Sequence, residues 1–356
     1  MMRHRPLPTT VRCRHPAGMS MIELLVAMAI GLILTAGIVQ IFVGSKETYR
    51  FQEALSRIQE TGRYATQRVS RDLRMTGYQG CAGDAMTVTD HRSSPNQSFS
   101  EQFGEGIRGF AVGANGQPPD KPGIKEVSPA PDTEGLRLSV MQPTDVEFED
   151  SDPPALKLKD GIREEFEKCD AVFLEDRDCG FGKMFISGSS KNAANMNTNG
   201  TGSCPTGNEN MNPGKLDEPW PNIEGARAMK ARRFIYFVKE NDNGEPALWL
   251  WQGDGGGSGE SFELVEGVED LHVEYGIDDG GEKDAVDRYE TVGAVEDDEW
   301  SDVVAVRVSF LVRSRAENVT DEAQTVSFPP GTEYTASDRR LRQTFTTTVA
   351  FRNRIP

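Results

Sequence analysis

From Leu24 to Val43 the chain is apolar almost without interruption, broken only by Thr35 and Gln40. About 20 such residues suffice to cross the hydrocarbon core of a bilayer as a helix. After residue 45 the pattern changes. Phe51, Leu55, Ile58, Gly62, Ala65, Val69 and Leu73 recur at spacings of four and three, while Glu53, Arg57, Gln59, Glu60, Arg63, Arg68 and Arg71 fall mostly off that stripe. This is the pattern of a helix with one buried face. No proline stands between Gly18 and Pro95, so both segments can form one helix from about Ser20 to about Met75, about 80 Å long at 1.5 Å per residue.

Beyond the helix the period changes from helical to alternating. Leu136 to Met141, Ala171 to Leu174 and Met184 to Ile186 read as short strands in a region dense in Ser, Pro, Gly and Asn, notably 90–133 and 187–226. Arg233 to Val238, Ala247 to Trp251, Val268 to Tyr275, Val303 to Val312 and Thr344 to Arg352 are enriched in β-branched and aromatic residues. Helix first and antiparallel strands after predict an α+β domain, with the stripe covering one sheet face. The expected divisions are 1–18, a short basic leader; 19–44, the membrane half of the helix; 45–76, its amphipathic half; 77–230, loop-rich with short strands and cysteines; and 231–356, the main sheet.

One carboxylate breaks the logic of the anchor. Glu23 sits at the mouth of the apolar helix, where a charge costs roughly 2.5 kcal/mol or more near a bilayer centre and therefore marks function. An amine on Met19 would lie one turn from Glu23. A parallel helix shifted by about one turn would pair the two between chains and set their axial register. The leader holds Arg3, Arg5, Arg12 and Arg14 and no acid, which keeps the amino terminus cytoplasmic and sends everything after residue 45 to the periplasm.

Gly18, Met19, Ser20, Met21, Ile22, Glu23, Leu24, Leu25, Val26 and Ala27 resemble the class III signal of type IV prepilins and type II secretion pseudopilins. The resemblance implies cleavage by a prepilin peptidase between Gly18 and Met19, N-methylation of Met19, and subunit docking through Glu23. Met19 stands where the family usually has Phe. Further blocks resemble the PilW group of minor pilins and the related GspJ pseudopilins: Gly77 to Cys81, Phe262 to Asp278, Val304 to Arg313 and Thr347 to Arg354. The large middle and the Gly-Cys turn favour PilW. The implied fold is pilin-like. The implied function is priming of pilus assembly in a tip complex with other minor pilins, the major pilin and a PilY-type adhesin, the chain resting in the inner membrane beforehand. Two alternatives stand beside it: a GspJ-like subunit at the tip of a secretion pseudopilus, and an anchored periplasmic binding protein with no filament role.

Charge and cysteines fit that compartment. The chain has a formal charge of −17, with 39 basic and 56 acidic residues. Without the four leader arginines this becomes 35 against 56, or −21, which repels nucleic acid. Loss of the leader removes Cys13 and leaves Cys81, Cys169, Cys179 and Cys204, an even number suited to two disulfides in an oxidising compartment. Three pairings are open. Zinc is the rival use, but no two of the four have the tight spacing of such sites.

Candidate chemistry is sparse. After the leader there are two histidines, His91 and His272, and neither a metalloprotease nor a nucleophile-elbow motif; residues 207–215 only superficially resemble a phosphate loop, with Leu216 where Ser or Thr would stand. An enzyme is not expected, and His272 reads as a half-buried strand residue. Asp278, Asp279, Glu282, Asp284 and Asp287 could offer oxygen ligands to calcium, as could Asp145, Glu147, Glu149, Asp150 and Asp152. Neither run has EF-hand spacing, and acidic runs in so acidic a chain are ordinarily solvated faces.

Overall fold

The structure is a computed structural model that describes residues 19–78, 80, 87–92, 105–119, 124, 127–152, 155–160, 165–189, 193–198, 204, 223–254, 259–280 and 286–351. The chain divides into two compact units, Met1–Glu53 and Ala54–Pro356. One helix, α1, runs from Met21 to Met75. The expected start and end thus hold to within a residue. Ser20 caps it, its Oγ accepting the Ile22 N–H at 3.3 Å and its carbonyl accepting the Leu24 N–H at 3.1 Å.

In the first unit the helix is exposed throughout, from Met21 at 80% to Phe42 at 69%. It is long and apolar enough to cross a membrane, and none of its most apolar stretch is buried. Thr35, one of the two polar breaks, returns its hydroxyl to the Gly31 carbonyl at 2.7 Å, so the group needs no outside partner.

The second unit holds the strands β1 (Thr87–Asp90), β2 (Ile107–Ala111), β3 (Glu134–Asp152), β4 (Ala155–Leu158), β5 (Ala171–Glu175), β6 (Phe181–Ile186), β7 (Asn195–Asn197), β8 (Arg227–Glu240), β9 (Pro246–Asp254), β10 (Gly259–Glu266), β11 (Val268–Ile277), β12 (Arg288–Thr291), β13 (Val303–Arg313), β14 (Thr325–Ser327), β15 (Glu333–Thr335) and β16 (Arg342–Ala350). The larger sheet runs β1-β6-β5-β8-β3-β4-β7, with β2 added to β3 and β9 then β10 added to β8. Only β1 against β6 is parallel among its described pairs. The second sheet is β12-β11-β13-β16, and β14 with β15 forms a ribbon. A long apolar helix followed by a mostly antiparallel β body makes this a pilin-like α+β fold.

The helix stripe is buried where the second unit begins. Ala54, Ile58, Ala65, Val69 and Leu73 pack into one cluster with residues of both sheets, including Leu136 and Tyr236 from the larger sheet and Val306 and Phe310 from the smaller. Ala54 takes the inward place at the start of the stripe, and Phe51 stays 39% exposed. Gly62 is there because the Phe345 ring of β16 occupies the space that a Cβ would need. The strand β8 crosses the boundary expected at 230/231 and pairs with β3 over most of its length.

Candidate subunit-docking site and its supporting body

Met19 and Glu23 both lie exposed at the start of α1, with Glu23 in the first turn. The unsatisfied N–H groups there favour an anion, so local helix electrostatics suits Glu23 even before any partner is considered. Gly18 lies outside the described residues. Gly31, Gly37 and Gly44 have open space where a Cβ would stand, so nothing within the chain requires their smallness.

The lower helix is fixed by a polar contact that the sequence reading missed. Asp72, 7% exposed, accepts a hydrogen bond from the Tyr236 hydroxyl at 2.5 Å and pairs with Arg68 at 2.6 Å. Burial and the neighbouring Asp72 carboxylate both push the Tyr236 hydroxyl well above its ordinary pKa. Tyr236 therefore remains a neutral donor to a carboxylate. The available signal was an acid next to Leu73 on the otherwise apolar stripe.

Between the apolar clusters the larger sheet carries buried cations, also unforeseen. Arg137 pairs with Glu105 at 3.1 Å, and the same carboxylate takes Arg108 at 3.2 Å; Arg108 reaches Asp297 as well. Burial is the largest influence on Arg137 and lowers its pKa to about 10, against the pull of Glu105. In the second sheet Arg342 grips Glu269 at 2.6 Å and Asp338, whose carboxyl its hydrogen bonds hold down to about 2. These are structural pairs.

The remaining candidates are dispersed. His272 is half-buried, as expected, with Nδ1 3.1 Å from Glu134. Burial pulls its pKa down, but Glu134, Glu274 and Asp270 outweigh that and raise it. Glu134 also accepts the Val273 N–H at 2.8 Å, tying the start of β3 to β11. Nearby, burial raises Asp270 to about 7. His91 goes the other way, to about 4, through burial and Lys183.

Of the acidic runs, Asp279 pairs with Arg288 and Asp278 accepts the Gly280 N–H at 2.8 Å, while Glu282 and Asp284 lie outside the described residues. Glu147 and Glu149 pair at 3.0 Å with Lys159 and Lys157. Among the described residues no three His, Cys, Asp or Glu side chains are grouped to hold a metal ion.

Cys169 and Cys204 form a disulfide that closes a separation of 35 residues. Cys179 is disulfide-bonded too. Cys81 lies outside the described residues. The long segment containing Cys204 is thus stapled at that residue to the start of β5.

Comparison with known families speaks to both ends of the chain. Residues 13–39 match the prokaryotic N-terminal methylation motif, and residues 235–353 match the family of type IV pilus-assembly protein W. The long exposed apolar helix and the first of these matches fit a membrane-anchored, single-pass protein of the prepilin class. The second match, over about the last third of the chain, supports a type IV pilus minor pilin of the PilW family. The resembling block at 77–81 lies outside both matches. No curated protein and no solved structure matches the chain. The pilin class carries interaction with other pilins and processing by prepilin peptidase, and it points to a structural rather than an enzymatic role.

Proposed function

We propose that this minor pilin primes type IV pilus assembly and resides at the fibre tip, in a complex with other minor pilins and a PilY-type adhesin. The observation that carries the reading is the joining, on one chain, of a methylation-motif helix that is wholly exposed in its apolar half to a PilW-type β body. Prepilin peptidase cuts between Gly18 and Met19, Met19 is N-methylated, and Glu23 pairs with the terminal amine of a neighbouring helix. Before assembly, residues 19–44 span the inner membrane with the leader cytoplasmic and the body periplasmic. In lipid both charges need partners, which gives the pairing its selectivity for register.

Glu23→Ala tests this in cells. Processing after Gly18 should persist, while the subunit disappears from sheared fibres and surface piliation falls. Unchanged fibres that lack this subunit even in the wild type would make it an anchored periplasmic domain with no filament role. A GspJ-like role would instead leave pili intact and impair secretion.

A further inference from the structure

The outward face of α1 within the second unit is cationic, unlike the rest of the body. Between Ala54 and Met75 the exposed side chains include Arg57, Arg63, Arg71 and Arg74, and one acid, Glu60. Residues 77–356 hold 28 basic against 51 acidic residues. The positions make a ridge. Arg57, Tyr64 and Arg71 follow at steps of seven, and Arg63, Gln67 and Arg74 form the adjoining row at steps of four and seven, opposite the buried stripe.

Several arginines elsewhere in the body are committed to carboxylates of their own chain. Arg68 is spent on Asp72, Arg313 on Glu245, Arg340 on Glu317 and Arg342 on Glu269. Among the described residues Arg63, Arg71 and Arg74 have no ion pair. Tyr64 at 43% and Met75 at 40% stand exposed on the same face. Arginine with Tyr and Met is the composition enriched at the centre of protein interfaces. Arg71 and Arg74, three residues apart, repel one another weakly until an anion arrives.

We infer that this ridge docks the carboxylate-rich surface of an adjoining pilin subunit. The charge of the body itself argues against lipid or nucleic acid as the occupant, because a domain with 51 acids to 28 bases is repelled from an anionic membrane or a phosphate backbone. A carboxylate-rich surface on a neighbouring subunit meets the same long-range repulsion, but filament assembly holds that subunit alongside, and at contact the arginines of the ridge outnumber its one acid. Complementary charge of this kind sets partner choice and orientation as well as attraction. The inference rests on the filament reading above, to which it adds the face and the chemistry of one contact.

The test uses the full chain in its own cells, with a photo-crosslinking residue in place of Gln67 and, separately, the triple variant Arg63→Glu/Arg71→Glu/Arg74→Glu. The crosslinked peptide should come from the periplasmic domain of another pilin, or of a second copy, and be rich in Asp and Glu. The triple variant should be processed normally yet recovered in sheared fibres at about a tenth of the wild-type level or less, with Lys at the three positions restoring it. If the Glu variant lowers the melting temperature of the chain, Gln at the three positions takes its place, with the same loss expected. Crosslinks confined to phospholipid, or to no pilin, overturn the inference, as does a charge-reversed subunit incorporated like the wild type. Wild-type chain missing from fibres while the Gln67 crosslink to an acidic pilin peptide persists would defeat the filament role and leave the ridge standing.

Discussion

The two parts of α1 are built from one continuous helix and have opposite fates. Up to Val43 nearly every side chain is apolar and exposed, whereas from Ala54 a narrow stripe is buried to 0–6% and the opposite face is charged. Hydrophobicity alone did not decide burial, since the more apolar part is the exposed one. A stripe is buried by the body of its own chain. An all-round apolar surface must find lipid or neighbouring helices instead.

Glycine substitution sharpens this contrast most. Gly62→Val drives a side chain into the Phe345 ring and should destabilise the body by about 3 kcal/mol, read as a lower melting temperature. Gly31→Val has open space and should leave melting unchanged, although it can still impair packing between subunits. Equal melting for the two variants would break the distinction. Next in size, Asp72→Ala strands the buried Tyr236 hydroxyl and should cost about 1–3 kcal/mol in denaturant titration, against no more than about 0.5 kcal/mol for Glu60→Ala on the exposed face.

The smallest effect is a pH dependence. Asp270 holds its proton up to about pH 7 when folded, against an ordinary 3.8, so its contribution is lost as pH rises through that window. His272, also raised, contributes below its unfolded value of 6.5 and loses that contribution as pH rises through its folded value. His91, lowered to about 4, opposes both, because it must charge on unfolding below 6.5. Comparison with Asp270→Asn isolates the first of these. On acidification from pH 8 to pH 5 the wild type should gain melting temperature relative to the variant, and a constant difference would refute the assignment.

The helix was legible almost to the residue, because its two hydrophobic patterns are long and its proline-free run unbroken. The strands at 233–238, 247–251, 268–275, 303–312 and 344–352 were legible for a similar reason: each carries a core-facing set of β-branched or aromatic side chains. Other strands, and the far end of β3, carried no such signal. β2 lies within a Gly-rich segment that reads as loop, and β10 is an exposed edge with Glu260, Glu263 and Glu266 along it. β3 extends eleven residues past Met141 into an acidic run, where Lys157 on β4 and Lys159 just after it compensate Glu149 and Glu147. The candidate cleavage residues Gly18 and Met19 and the candidate docking residue Glu23 came from a motif. The buried arginines and Asp72 carry no such signature, since their meaning depends on partners more than thirty residues away.

Strand β8 supplies side chains to all four apolar clusters formed by the described residues: Tyr236 and Val238 to the one beneath the helix, Ala228 to a second, Met229 and Ala231 to a third, and Ile235 and Phe237 to a fourth. No cluster can loosen without unseating the strand on which the other three lean. The four clusters of the described body should therefore loosen together rather than one at a time, so that in the proposed periplasmic setting a protease would meet this packed core as one unit.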